Sequence, residues 1–180
     1  MMVFSKIKTS KKHIPSLHIR HANKKDAAEI VRLARSLSKT DGHRPSCLTE
    51  ECFCRDGFGN NPAFKTLIAE INKELIGYTL YFEGYNTNSA SRGLYISDLY
   101  VDEPWRRKGV GYALMQATSM ACKKAGGEWM FWAVNKKNKG ARKFYKKLST
   151  EIREVSIFSI LGNNFQNICN TPNNKTMHLD

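Results

Sequence analysis

No stretch of this 180-residue sequence is long and apolar enough to span a bilayer, and residues 1–12 lack the apolar run of an export signal. These absences lead us to expect a cytoplasmic protein with no membrane partner. No CxxC pair occurs among the five cysteines, whose count is odd. Cys52-x-Cys54 has no second half at ligand spacing, so no metal site is expected, and the thiols should be reduced and mostly buried. Repeats at a solenoid period and low-complexity segments are also missing. With 41% hydrophobic and 25% charged residues, the composition excludes a disordered chain and suits one ordinary domain.

Acidic residues are outnumbered by basic ones. Sixteen Asp and Glu face 29 Lys and Arg, leaving a net charge of +13 that is unevenly spread. Residues 1–16 contribute four lysines and no acid, and read as a basic disordered extension. Residues 17–104 are nearly neutral. Residues 105–147 hold twelve basic residues against one acid, Glu128. Such asymmetry points to a polyanionic partner for 105–147, either a nucleotide cofactor or a nucleic acid. A lysine-rich solvated surface accounts for part of it.

Apolar periodicity gives the outline of a domain over 17–165, followed by a polar tail over 166–180. A short strand over 17–21 leads to a helix capped by Asn23, with Ala27, Ile30, Val31, Ala34 and Leu37 on one face. A second short helix starts after Thr49 and is followed by a turn-rich stretch, Asp56-Gly57-Phe58-Gly59. Strands over 66–71 and 75–82 flank Asn72-Lys73 as a hairpin turn, and residues 84–92 read as a polar loop. Beyond a strand over 94–101 come a helix over 109–124, a strand over 129–134, a helix over 140–148 and a last strand over 155–161. The 109–124 helix places Val110, Leu114, Ala117 and Ala121 at helical spacing. Strands alternating with helices after a hairpin predict an α/β fold, a mixed central sheet with helices on both faces.

Between the third long strand and its helix lies Arg106-Arg107-Lys108-Gly109-Val110-Gly111-Tyr112-Ala113. Glycines there let backbone N–H groups approach an anion. The new helix adds unpaired donors and the positive end of its dipole, and three cations stand beside the same spot. The pattern is a pyrophosphate cradle. It is not a dinucleotide fingerprint, lacking the third glycine, nor a P-loop, lacking Gly-Lys-Ser/Thr. Further on, Asn138-Lys139-Gly140-Ala141-Arg142-Lys143-Phe144-Tyr145 opens another helix, with Tyr145 about two turns beyond Asn138. Its phenol is a candidate proton donor to a leaving thiolate, or a packing ring.

Together these stretches resemble the GNAT superfamily of N-acetyltransferases. Leu48-Thr49-Glu50, Asp56-Gly57-Phe58-Gly59, Asn61-Pro62-x-Phe64, Gly77-Tyr78-x-Leu80-Tyr81-Phe82 and Tyr95-x-x-Asp98-Leu99-Tyr100-Val101 are similar to the diamine (spermidine/spermine) and thialysine N-acetyltransferase family. The resemblance covers roughly residues 17–161. It implies the single-domain acyl-CoA N-acyltransferase fold, acetyl-CoA as co-substrate, a small amine acceptor and a homodimer. By position it implies that Leu99, Tyr100 and Val101 hold the pantetheine arm. Arg106, Arg107, Lys108, Gly109, Val110, Gly111 and Tyr112 would bind the pyrophosphate, and Asn138, Lys139, Gly140 and Ala141 further cofactor groups. Tyr145 would be the general acid, and Asp41 and Asp98 would lie in the substrate site. Ser97 stands where the family places a glutamate that binds or deprotonates the amine through water. A hydroxyl can hold a water but cannot act as that base. Strand alternation places Asp98 on the face opposite Ser97.

The acceptor implied is thus a diamine, polyamine or lysine analogue. A protein lysine, an aminoacyl amine on transfer RNA docked through the basic extension, and a binding module with little turnover are the other readings.

Overall fold

The structure, a computed structural model, describes residues 17–42 and 44–170. The expected extension over 1–16 and most of the expected polar tail lie outside the described residues. Contacts group the chain into two compact units, divided between Asn138 and Lys139.

The first unit is built on a five-stranded sheet in the order β1-β2-β3-β4-β5. Strands β1 (His18–His21), β2 (Lys65–Ile71), β3 (Glu74–Asn86) and β4 (Ser91–Val101) pair antiparallel in succession, and β5 (Gly127–Trp132) pairs parallel with β4. Helices α1 (Ala27–Thr40) and α2 (Glu50–Gly57) pack on one face, and α3 (Val110–Lys124) packs against the sheet from the other. This is the predicted mixed sheet.

Local chemistry sets the element ends. Asn23 caps a single 3-10 turn ahead of α1, its side chain accepting from Lys25 N while its own N–H donates to Asp26 Oδ2 at 2.8 Å. Thr49 Oγ1 accepts from Cys52 N at 3.1 Å and starts α2. Asn72 and Lys73 both have positive φ, 50° and 68°, as a tight two-residue hairpin requires. On α1 the predicted residues Ala27, Ile30, Val31 and Ala34 are buried, joined by Leu33. Ala27, Ile30, Leu33 and Ala34 meet Phe53 of α2 and Ile68, Tyr78 and Tyr100 of the sheet in one core.

Four expectations change. The loop expected over 84–92 shrinks to a turn over 87–90, because β3 and β4 continue through the pairs Gly84↔Gly93 and Asn86↔Ser91. Glycine marks a close approach here: a Cβ on Gly93 would overlap the Trp129 ring, so the indole rests directly on the strand. The buried face of α3 is Val110, Leu114, Met115, Thr118 and Cys122, with Ala117 and Ala121 half-buried at its flank. Only Cys122 of the five free cysteines is buried. Residues 155–161 form no strand. They lie in the second unit, where α4 (Lys139–Tyr145) and α5 (Asn163–Asn170) are the regular elements, and Ile157 and Phe158 are 80% and 92% exposed. A strand needs a neighbour to satisfy its backbone, and no described residue of that unit supplies one.

Candidate active site

β4 is paired on both sides for only half its length. Its ladder with β5 runs from Arg92↔Gly127 to Ile96↔Trp132 and then ends. Residues 97–101 keep only β3 as a neighbour, with Leu99, Tyr100 and Val101 opposite Thr79, Tyr78 and Gly77. Alternate N–H and C=O groups of that stretch therefore face an open gap. Leu99, Tyr100 and Val101, expected to hold an extended amide-bearing arm, sit along it.

The cradle follows at the C-terminal end of β4. A 3-10 turn, Glu103–Trp105, leads to Arg106, whose Nε donates to Val101 O at 2.9 Å and whose guanidinium lies 5.3 Å from the Tyr100 ring centroid. A further contact at 3.5 Å reaches Thr40 Oγ1 at the end of α1. Arg106 thus ties the strand end to α1. Lys108 Nζ lies 4.7 Å over the Trp105 ring, and neither Arg107 nor Lys108 has an ion-pair partner among the described residues. Gly109 has φ 94° and no atom within 4 Å of a would-be Cβ, so backbone conformation rather than crowding demands glycine. Helical bonding begins with Ala113 N donating to Gly109 O at 3.0 Å. The N–H groups of Val110, Gly111 and Tyr112 have no intrahelical acceptor, and the positive end of the helix dipole lies at the same helix start. A phosphate group fits this donor set.

Beside the gap lies a pair of carboxylates. The β3–β4 register steps from Tyr81↔Ile96 to Leu80↔Asp98, leaving Ser97 as the extra residue of a β-bulge. Strict alternation fails there, which corrects the expected opposition of Ser97 and Asp98. Ser97 Oγ lies 3.4 Å from Asp98 Oδ1 as a donor, while the buried Tyr78 hydroxyl donates to Asp98 Oδ2 at 2.8 Å. Burial pushes the Asp98 carboxyl above its ordinary range; nearby Asp41 pushes the same way, and the two hydroxyls oppose it. Burial and the adjacent carboxylate also raise the Tyr78 phenol, which stays protonated. Asp41 caps the C-terminus of α1 and its Oδ1 accepts from Asn138 Nδ2 at 2.7 Å; Asn135 Nδ2 reaches its carbonyl at 3.4 Å.

The structure therefore gathers Asp41, Ser97, Asp98, Leu99–Val101, Arg106 and Asn138 around the open half of β4. The Asn138 side chain, expected at the cofactor, also holds Asp41. The sequence reading missed Tyr78 and Asn135. Their roles depend on the diagonal Tyr78–Asp98 contact across strands and on a loop returning to α1, neither of which leaves a periodic signal. A groove of about 640 Å³ between α1 and α2, lined by Arg32, Arg35, Lys39 and Glu50 among others, contains none of these residues.

In the second unit, Lys139, Gly140 and Ala141 form the first turn of α4 and Tyr145 is its last residue, half-buried, its ring 5.2 Å from that of Phe144. Ser149 Oγ donates to the Tyr145 carbonyl at 3.0 Å. Glu151 collects Arg142, Lys146 and Arg153, and these contacts hold its carboxyl below the ordinary range, Arg142 foremost.

A model of the Acetyltransferase (GNAT) family matches residues 29–149. The mouse thialysine N-epsilon-acetyltransferase is 32% identical over 146 residues, 76% of this chain and 85% of that protein. The human spermidine/spermine N(1)-acetyltransferase-like protein 1 is 34% identical over 109 residues, 56% of this chain and 16% of that protein. Among solved structures, an integron cassette protein from the mobile metagenome of V. cholerae superposes with a TM-score of 0.74 at 22% identity, covering 87% of this chain and 99% of that one. With the half-paired β4, the glycine-started α3 and these matches in agreement, the chain belongs to the GNAT family of N-acetyltransferases.

Proposed function

We propose that the protein transfers the acetyl group of acetyl-CoA to a primary amine of a small cationic acceptor of the diamine, polyamine or lysine-analogue type. One observation carries this reading. The open half of β4 has a cationic, N–H-rich cradle beyond its C-terminal end and two carboxylates, Asp41 and Asp98, beside it. The cradle suits a polyphosphate, and the carboxylates, one of them at the negative end of α1, suit an ammonium. Support also comes from the relatives, one named as a thialysine N-epsilon-acetyltransferase and one as spermidine/spermine N(1)-acetyltransferase-like.

Acetyl-CoA supplies the acyl group as a thioester. On this reading Val110, Gly111 and Tyr112 offer backbone donors to its pyrophosphate and Arg107 and Lys108 add charge. Leu99, Tyr100 and Val101 offer backbone hydrogen bonds to the pantetheine arm and an N–H to the developing oxyanion. Lys139, Gly140 and Ala141 contact further cofactor groups, and Tyr145 donates the proton that the departing sulfur needs.

Acetylation assays with spermidine, putrescine, thialysine, ornithine, a lysine peptide and an aminoacyl-tRNA test the reading. We expect turnover with the small diamines or lysine analogues and little with the macromolecules. Turnover confined to the peptide or the tRNA would replace the acceptor class. Acetyl-CoA binding without transfer to any acceptor would favour a binding module.

A further inference from the structure

The proposed reaction needs a neutral amine, yet an alkyl ammonium is protonated at neutral pH. Ser97 occupies the strand position where a carboxylate base is expected by resemblance, and its hydroxyl cannot take the proton. Resting on the proposed amine acetylation, we infer that Asp98 accepts the proton of the substrate ammonium, and that the β-bulge at Ser97 is what brings its carboxylate to the same face as the Ser97 hydroxyl. The N–H bond of the ammonium breaks, the proton passes to a carboxylate oxygen of Asp98, and the electron pair stays on nitrogen. That pair then forms the C–N bond as the C–S bond breaks; the sulfur leaves as thiolate, takes a proton from Tyr145, and the second N–H proton of the new amide returns to Tyr145.

The surroundings of Asp98 fit this task better than those of any other group near the gap. Asp98 is half-buried, so it is shielded yet reachable. From β3, the Tyr78 hydroxyl fixes one oxygen at 2.8 Å; from β4, Ser97 lies 3.4 Å from the other. From the end of α1, Asp41 adds a second negative charge. On the same strand, Tyr100 carries the Arg106 guanidinium over its ring. Asp41 accepts from Asn138 on Oδ1 at 2.7 Å and is the competing acceptor, which the Asp41→Asn variant below distinguishes. Tyr78 is excluded because its phenol is fully buried and held protonated. A carboxyl whose proton affinity is raised by burial is a better acceptor than an exposed one.

The test is the pH profile of kcat/KM with the best acceptor of the panel, alongside acetyl-CoA affinity by calorimetry and a thermal melt for each variant. Asp98→Asn, nearly isosteric, should lower kcat/KM by about 100-fold or more while acetyl-CoA still binds. Asp98→Glu should restore part of the loss. Two neighbours should move the acid limb in opposite directions. Tyr78→Phe removes a donor that stabilises the carboxylate, so the limb shifts to higher pH. Asp41→Asn removes a repelling charge, so it shifts to lower pH. A purely structural role for Asp98 predicts lost stability and unmoved limbs. If the wild type acetylates amines and Asp98→Asn does so within a few-fold, or if neither neighbour moves the limb, the proton goes elsewhere and the inference falls while the amine reading stands. If the wild type binds acetyl-CoA yet acetylates no amine, the functional reading falls first and the role of Asp98 falls with it.

Discussion

Tyr145 shows how far a single side chain can be assigned. Its half-buried ring contacts Phe144, so packing accounts for its presence in α4 without chemistry. Tyr145→Phe separates the two roles, because it removes the hydroxyl and keeps the ring. We expect kcat to fall by about 10²-fold with acetyl-CoA affinity within a few-fold of wild type, read from steady-state kinetics and calorimetry. An equal loss of affinity would assign the ring to packing or cofactor contact. Asp26 is a structural counterpart. Its carboxylate takes two hydrogen bonds from Arg20, at 2.8 and 2.9 Å, and one from Asn23 N. Arg20 above all holds the Asp26 carboxyl below its ordinary value. A depressed folded-state pKa gives stability that is complete above the unfolded value of about 4 and is lost as pH falls through the folded value. Asp26→Asn should therefore cost about 2 kcal/mol at neutral pH. In urea melts the gap to wild type should close as pH drops below about 4. A gap independent of pH would mean that shape, not charge, matters there.

Elements are where periodic reasoning met its limit. The hairpin around Asn72-Lys73, the capped start of α2 and the Asn23-capped turn ahead of α1 depend on neighbours in sequence, and each was legible. The outer halves of β3 and β4 were not, because glycine, serine and asparagine between 84 and 92 carry loop chemistry when read alone. They pair because Trp129 of β5 lies on Gly93 and beside Gly84, with its Nε1 donating to Ser91 O at 3.2 Å. Gly93→Ala should lower stability by about 2 kcal/mol, since the new methyl meets ring atoms of an indole laid on the strand. In a Trp129→Ala background the same change should be nearly neutral in thermal melts. An equal cost in both backgrounds would place the strain in the backbone. The bulge at Ser97 teaches a related lesson. Alternation placed Ser97 and Asp98 on opposite faces, whereas one extra residue brings their side chains within 3.4 Å.

For the whole molecule, the distribution of charge outweighs the total. The segment over 105–147 supplies the cradle, while Asp41 and Asp98 come from the nearly neutral part of the chain before it. Opposite signs thus meet at the open half of β4. Acetyl-CoA affinity should fall roughly tenfold between about 0.03 and 0.3 M salt, as exposed cations such as Arg107 and Lys108 are screened. Titration calorimetry at three ionic strengths checks this. Affinity independent of salt would mean that backbone N–H groups alone hold the phosphates. No helix among the described residues is long and apolar enough to cross a membrane.

What the sequence determined by itself was everything carried by short-range pattern. The mixed α/β order, the caps at Asn23 and Thr49, and the glycine-started helix behind Arg106–Lys108 all follow from neighbours along the chain. So does the family resemblance, because its motifs are contiguous. Only the tertiary structure decided which strands pair and where pairing stops. The ladder between β4 and β5 ends at Ile96↔Trp132, Arg106 turns back onto Val101, and Tyr78 reaches Asp98 across two strands. Residues 155–161 make the same point from the other side, because an apolar, β-prone run becomes a strand only where a neighbour accepts its backbone. Hydrogen bonds between distant residues depend on register, and a single-residue bulge changes register without altering the apolar pattern that sequence reasoning reads.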